Sequence, residues 1–171
     1  MRRDIRTATL DTNVFPADQL VSLASRSGIA AAVVSVSHRE VEGSTLEEEV
    51  RSLETILETG VFGESRFGQA VWGTSADAEW LESALAIISN QSFPPRTSRQ
   101  SLTDGQRRQL RDAMILCAHV RSRRDVLVSN DRRAFVDNGR REAIASTFHT
   151  SVMTAAEFED YLSGLERETA V

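Results

Sequence analysis

The chain has 171 residues, of which 40% are hydrophobic, 26% charged and 6% aromatic, the proportions of one globular domain rather than of a disordered or fibrous chain. All 20 basic residues are arginine, and the missing lysine amine excludes Schiff-base catalysis, a Walker-type phosphate lysine and a kinase strand lysine. The net charge of −5 argues against a protein that coats itself in nucleic acid, and the single Cys117 leaves neither an internal disulfide nor a cysteine-rich zinc site.

The amino terminus carries Arg2, Arg3 and Arg6, but no long apolar stretch with a small-residue cleavage site follows, and no run approaches the roughly 20 apolar residues of a spanning helix. A soluble cytoplasmic protein without membrane contact is expected. Ile5 to Leu10 reads as a strand ending in the polar turn Asp11-Thr12-Asn13. Pro16 can open a helix whose apolar face (Leu20, Val21, Leu23, Ala24) runs to a stop at Gly28. The unbroken run Ile29 to Val36 suits a strand buried on both faces of a parallel sheet. Ser37 and Glu40 have capping-box spacing, and Thr45 to Leu57 continues as a helix that Gly60 ends.

Residues 61–76 are rich in glycine and read as irregular; their Phe62, Phe67 and Trp72 could stack on bases, although aromatics in such loops more often pin the loop to the core. Asp77 to Ile88 predicts a helix and residues 89–103 a loop. Asp104 can cap a long helix to about Arg121, and Val126-Leu127-Val128 is a buried strand that terminates at Ser129-Asn130-Asp131. A helix over 139–147, a strand from Thr150 to Met153 and a helix from Thr154 to Leu165, capped by Thr154 and Glu157, complete the chain. Four strands separated by helices imply an α/β layered domain with a mostly parallel sheet.

Ligands of such sheets bind outside the carboxyl ends of the strands. Two strands here end in aspartate, Asp11 and Asp131, each beside an amide or hydroxyl able to orient it. Two carboxylates at one sheet edge repel unless a cation or a shared proton offsets the charge. Asp112 interrupts the apolar face of the long helix, where an unpartnered charge is costly, and Glu40 stands just past the second strand. Four carboxylates from two strand ends and two helix segments can hold one or two Mg²⁺ or Mn²⁺ ions, which prefer hard oxygen ligands. Singly, Asp11 could be a turn residue, Asp131 the cap of a short helix, and Glu40 part of a capping box with Glu42 as a nearby substitute. His119 shares the helix face of Asp112, although a packed or solvated histidine is the commoner case.

Leu10-Asp11-Thr12-Asn13-Val14-Phe15, Ser35 to Glu40, Asp112-Ala113-Met114-Ile115 with Ala118, and Val128-Ser129-Asn130-Asp131 followed by Phe135 together resemble the PIN-domain nucleases. The resemblance spans 1–171 as a single PIN-like domain and is weakest over 60–103. It implies a three-layer α/β/α fold and a Mg²⁺- or Mn²⁺-dependent endoribonuclease with Asp11, Glu40, Asp112 and Asp131 as catalytic and metal-ligating acids and Asn13 and Ser129 in support. It further implies hydrolysis to 5′-phosphate and 3′-hydroxyl ends. A toxin of a toxin–antitoxin pair, with an antitoxin-like protein partner, and a homodimer are also implied.

Residues 107–141 hold ten arginines against four acids, a net of +6, which suits an RNA substrate contacted by Arg108, Arg111, Arg132 and Arg133. An ordinary solvated helix face explains the same charge equally well. A phosphatase built on an aspartate-nucleophile loop lacks its second aspartate, replaced by Asn13, and its lysine; a receiver-type phosphoacceptor domain lacks the same lysine. The remaining alternative is a non-catalytic RNA-binding or protein-interaction module on the same fold.

Overall fold

The structure, a computed structural model, describes residues 4–169; Arg2 and Arg3 of the charged amino terminus lie outside them. Strand β1 (Thr7–Leu10) runs into a 3₁₀ turn at Thr12–Val14, which Asp11 caps by accepting a hydrogen bond from Thr12 N. Helix α1 (Asp18–Arg26) ends before Gly28, whose φ of +73° lies in the left-handed region that glycine enters without a Cβ clash. Strand β2 (Ala30–Val34) is shorter than its apolar run, because Ser35 and Val36 already belong to α2 (Ser35–Glu40). The expected Ser37–Glu40 capping box therefore does not form. Ser37 is buried inside α2 with its Oγ 2.9 Å from Thr12 Oγ1.

Helix α3 (Glu47–Arg51) stops well short of Leu57, and Glu54–Ile56 becomes strand β3, paired parallel to β2. A helix-spaced apolar pattern carries no information about a neighbouring sheet edge, whose free N–H and C=O groups win the same residues as a strand. Strands β4 (Glu58–Thr59) and β5 (Ala70–Val71) form a second, two-stranded parallel pair and bracket a loop over 60–69. Helix α4 (Ser75–Ile88) begins with a reciprocal capping box between Thr74 and Asp77. The loop expected over 89–103 contains a 3₁₀ turn at Arg96–Ser101. Helix α5 (Asp104–Arg121) is capped by Thr103 with Gln106, not by Asp104, which is its first residue.

Strand β6 (Val126–Val128), α6 (Arg132–Phe135), α7 (Arg140–Phe148), β7 (Ser151–Met153) and α8 (Ala155–Thr169) follow. Thr154 and Glu157 cap α8 reciprocally, as their spacing predicts.

The central sheet has five strands in the order β3-β2-β1-β6-β7, all parallel. Alternation along the strands divides the core in two. Ala32 and Val34, Leu127 and Val152 point to one face, under α4, α5 and α7, while Ala8 and Leu10, Val33, Val126 and Val128 point to the other, under α1, α3 and α8. The result is a three-layer α/β/α arrangement. Because β1 sits between β2 and β6, the direction of winding reverses at the β1–β6 seam, and the crevice outside the carboxyl ends of those strands is the topological place for a ligand. No helix among the described residues is long and apolar enough to cross a membrane.

Candidate active site

Asp11 leaves β1 at this seam, its N–H donating to Val128 O of β6 at 2.9 Å. The carboxylate is 2% exposed and fully engaged. Its Oδ1 accepts from Thr12 N at 2.7 Å, and its Oδ2 accepts from Asn13 Nδ2 at 2.7 Å and from Ser129 Oγ at 2.6 Å. Burial pushes its pKa up to about 6, with the Ser129 hydrogen bond opposing and the charges of Glu40 and Asp131 adding to the rise.

Asn13 and Ser129 act as a clasp across the seam. Asn13 Oδ1 accepts from Asn130 N at 2.7 Å while its amide reaches Ser129 Oγ at 3.2 Å, so both strand ends are held by one side chain. Ser129 Oγ also accepts from Asp131 N at 3.1 Å. Asp131 caps α6 by accepting from Ala134 N at 2.9 Å, so its turn-forming role is real.

Glu40, the last residue of α2, is exposed and its carboxylate accepts a short hydrogen bond from the Thr12 hydroxyl. A buried ion pair fastens α2 beneath it. Arg39 meets Glu58, which is 0% exposed, through Nη1–Oε2 at 2.9 Å and Nη2–Oε1 at 2.7 Å, and Ser35 Oγ donates to the same Glu58 at 2.7 Å. Asp112 projects from α5 and is 8% exposed. Burial, then the charges of Asp11, Asp131 and Glu40, push its pKa up to about 9, against a smaller pull from Arg108.

The four predicted acids thus act on one another electrostatically, and among the described residues no arginine or histidine is hydrogen-bonded or ion-paired to any of them. Their donor set is all hard oxygen, with a shortfall of positive charge at two buried carboxylates, which is the chemistry that Mg²⁺ or Mn²⁺ fits. In the arrangement observed, no group of three or more histidine, cysteine, aspartate or glutamate side chains among the described residues is set to hold a metal ion.

The predicted arginines divide. Arg111 pairs with Glu64 at 3.3 Å and Arg132 with Asp137 at 2.8 Å, whereas Arg108 and Arg133 are exposed and make no ion pair among the described residues. Much of the basic block is used internally: Arg107 pairs with Glu64, Arg124 with Glu54, and Arg141 with Glu157. His119 is packed away from the acids, with Nδ1 2.9 Å from Thr9 Oγ1 and Nε2 2.6 Å from Thr150 Oγ1; burial, followed by Arg124, holds its pKa down to about 3. Cys117 is buried, and burial pushes its thiol up to about 12.

Phe62, Phe67 and Trp72 are fully exposed and do not pin the loop to the core; the partly buried Val61 packs against the core. Sequence reading also missed Thr12, Asn130 and the Arg39–Glu58 pair. The first two lie inside the motifs and differ from their neighbours by no local signal, and the third joins residues that only β4 brings to α2. The chain matches no protein-family model and no curated protein.

Proposed function

We propose that this protein is a metal-dependent endoribonuclease that hydrolyses phosphodiester bonds at the β1–β6 edge, as the resemblance to PIN-domain nucleases implies. The observation that carries the reading is Asp112, a buried acid on a helix whose charge is opposed by Asp11, Asp131 and Glu40 from three other segments. No fold needs such a cluster for stability, since each added like charge raises its free energy.

Asp11, Asp112, Asp131 and Glu40 would hold Mg²⁺ or Mn²⁺, which supplies an activated water and neutralises charge on the scissile phosphate. Asn13 and Ser129 fix the Asp11 carboxylate in place, Thr12 orients Glu40, and the exposed Arg108, one helical turn before Asp112 and in no ion pair among the described residues, would meet the polyanion. An RNA-cleavage assay with Mn²⁺ and with EDTA, on the natural chain and on Asp11→Asn, tests this. Cleavage should require the metal and disappear in the variant; cleavage that survives EDTA or the substitution overturns the reading.

A second reading, a non-catalytic RNA-binding or protein-interaction module, draws on Asp131 and Asp11 being engaged as a helix cap and a hydrogen-bonded clasp. It predicts RNA or protein binding without metal-dependent products in the same assay.

A further inference from the structure

The loop over 60–69 is tied by side-chain contacts to the two helices that carry site acids. On the α5 side, Glu64, its side chain 6% exposed, pairs with Arg107 at 2.6 Å and with Arg111, the residue next to Asp112. On the α2 side, Arg66 pairs with Glu42 at 2.9 Å, two residues past Glu40, and Ser35 Oγ lies 2.7 Å from Gln69 O. Within the loop, Val61 N donates to Ser65 Oγ at 2.9 Å.

From this mounted loop two phenylalanines stand out fully exposed, Phe62 and Phe67. Each is followed by a glycine in the left-handed region, Gly63 at φ +83° and Gly68 at φ +80°, so each aromatic sits on a turn that only glycine completes without strain. Along the chain, Glu64, Ser65 and Arg66 separate the two phenylalanines. A protein-docking patch calls for contiguous apolar area, while an unpaired base offers a single flat face to a single ring. A cleft of about 320 Å³ lined by His38, Glu42, Glu47, Arg51, Thr55 and Gly68 opens beside the second turn. The exposed Arg108 lies on α5 between the loop's anchor Arg107 and Asp112.

We propose that Phe62 and Phe67 form a stacking platform for unpaired bases of a single-stranded nucleic acid whose backbone runs on to the acidic edge. This rests on the ribonuclease reading and restricts its substrate to strands with splayed bases, because a ring on a turn tip reaches no base inside a duplex.

The test is fluorescence anisotropy on the full chain carrying Asp11→Asn, so that the strand survives, with a short labelled single-stranded RNA, the same strand bearing abasic sites, and its duplex. Phe62→Ala/Phe67→Ala should weaken single-strand binding by at least about tenfold and leave abasic-strand binding unchanged, and Phe62→Tyr/Phe67→Tyr should restore it. Equal affinity of the alanine variant and its parent for the single strand overturns the platform. So does a dimer, seen by light scattering, that the alanine pair dissociates without loss of RNA affinity, since the rings then join two copies of this chain.

The cleavage assay on the natural chain keeps the two readings apart. Ring-dependent binding without metal-dependent cleavage retains the platform and removes the nuclease, and normal cleavage by the alanine variant at low substrate does the reverse.

Discussion

Ser129 and Asp11 meet across the β1–β6 seam, the serine hydroxyl donating to Oδ2 at 2.6 Å, although 118 residues separate them in the chain. Both are buried, so the hydroxyl replaces the water that an ionised Asp11 has lost, and it is the largest influence holding that carboxyl's pKa down. Ser129→Ala should raise the Asp11 pKa above about 6, cost about 1–3 kcal/mol of stability and weaken Mn²⁺ binding by roughly 10- to 100-fold. Urea denaturation and a calorimetric Mn²⁺ titration measure both; an unchanged metal affinity would show that Asp11 needs no clasp.

Asp112 should destabilise the metal-free fold. Its folded pKa of about 9 lies above its unfolded value of 3.8, so the folded state holds a proton that the unfolded state releases, and stability falls as pH rises through that window. Asp112→Asn mimics the protonated form. In EDTA at pH 8 it should be more stable than the natural chain by a few kcal/mol, with the gap closing towards pH 4, while RNA cleavage drops by at least about a hundredfold. Urea denaturation across that pH range, beside the cleavage assay, reads both.

Metal should reverse that cost. Mn²⁺ at about 100 times its dissociation constant should stabilise the natural chain by about 2.7 kcal/mol, and leave Asp11→Asn and Asp112→Asn nearly unmoved. Thermal melts with and without EDTA measure it, and an equal shift in all three proteins would place the metal elsewhere.

His119 imposes a different pH dependence. Its folded pKa of about 3 lies below the ordinary 6.5, so it is neutral in the fold, and stability is lost as pH falls from 6.5 towards 3, where the unfolded chain takes up a proton that the fold refuses. At pH 5 the cost is about 2 kcal/mol relative to pH 7.5. His119→Gln should flatten that acid limb, and an imidazole NMR titration showing protonation near pH 6 would contradict the buried geometry.

The Arg39–Glu58 pair should behave as a buried charge pair whose halves cannot be separated. Glu58→Gln leaves Arg39 uncompensated and should cost about 3–5 kcal/mol, whereas Arg39→Met/Glu58→Leu together should cost much less. Chemical denaturation of both variants beside the natural chain measures the difference. In the double variant α2 loses its fastening, so cleavage should fall with the loss of Glu40 placement even where stability is kept.

The sequence was legible where one side chain's neighbours were its own chain neighbours. The buried strands β1, β2 and β6, the cap at Thr154 and the glycine stop at Gly28 all followed from periodicity and local hydrogen-bonding chemistry, whereas the helix expected from Asp77 starts at Ser75 under a Thr74 cap that the sequence reading did not name. Reading failed over Thr45 to Leu57, where the edge of β2 claimed Glu54–Ile56, and at Ser37, whose hydroxyl meets Thr12 between the ends of β1 and β2. It also failed on Phe62 and Phe67, because exposure depends on where the rest of the fold lies, and here Val61 packs against the core while both rings are exposed.

By itself the sequence determined the layered α/β class, the two aspartates at strand ends and the absence of any lysine, since alternation, turn residues and composition are properties of the chain alone. Only the tertiary structure decided that β1 lies between β2 and β6, and from that one adjacency come the Asp11–Ser129 bond, the shared field of the four acids and the mounting of the aromatic loop beside them. Strand order is set by which edges pair at a distance, a competition among long-range contacts that no local pattern encodes.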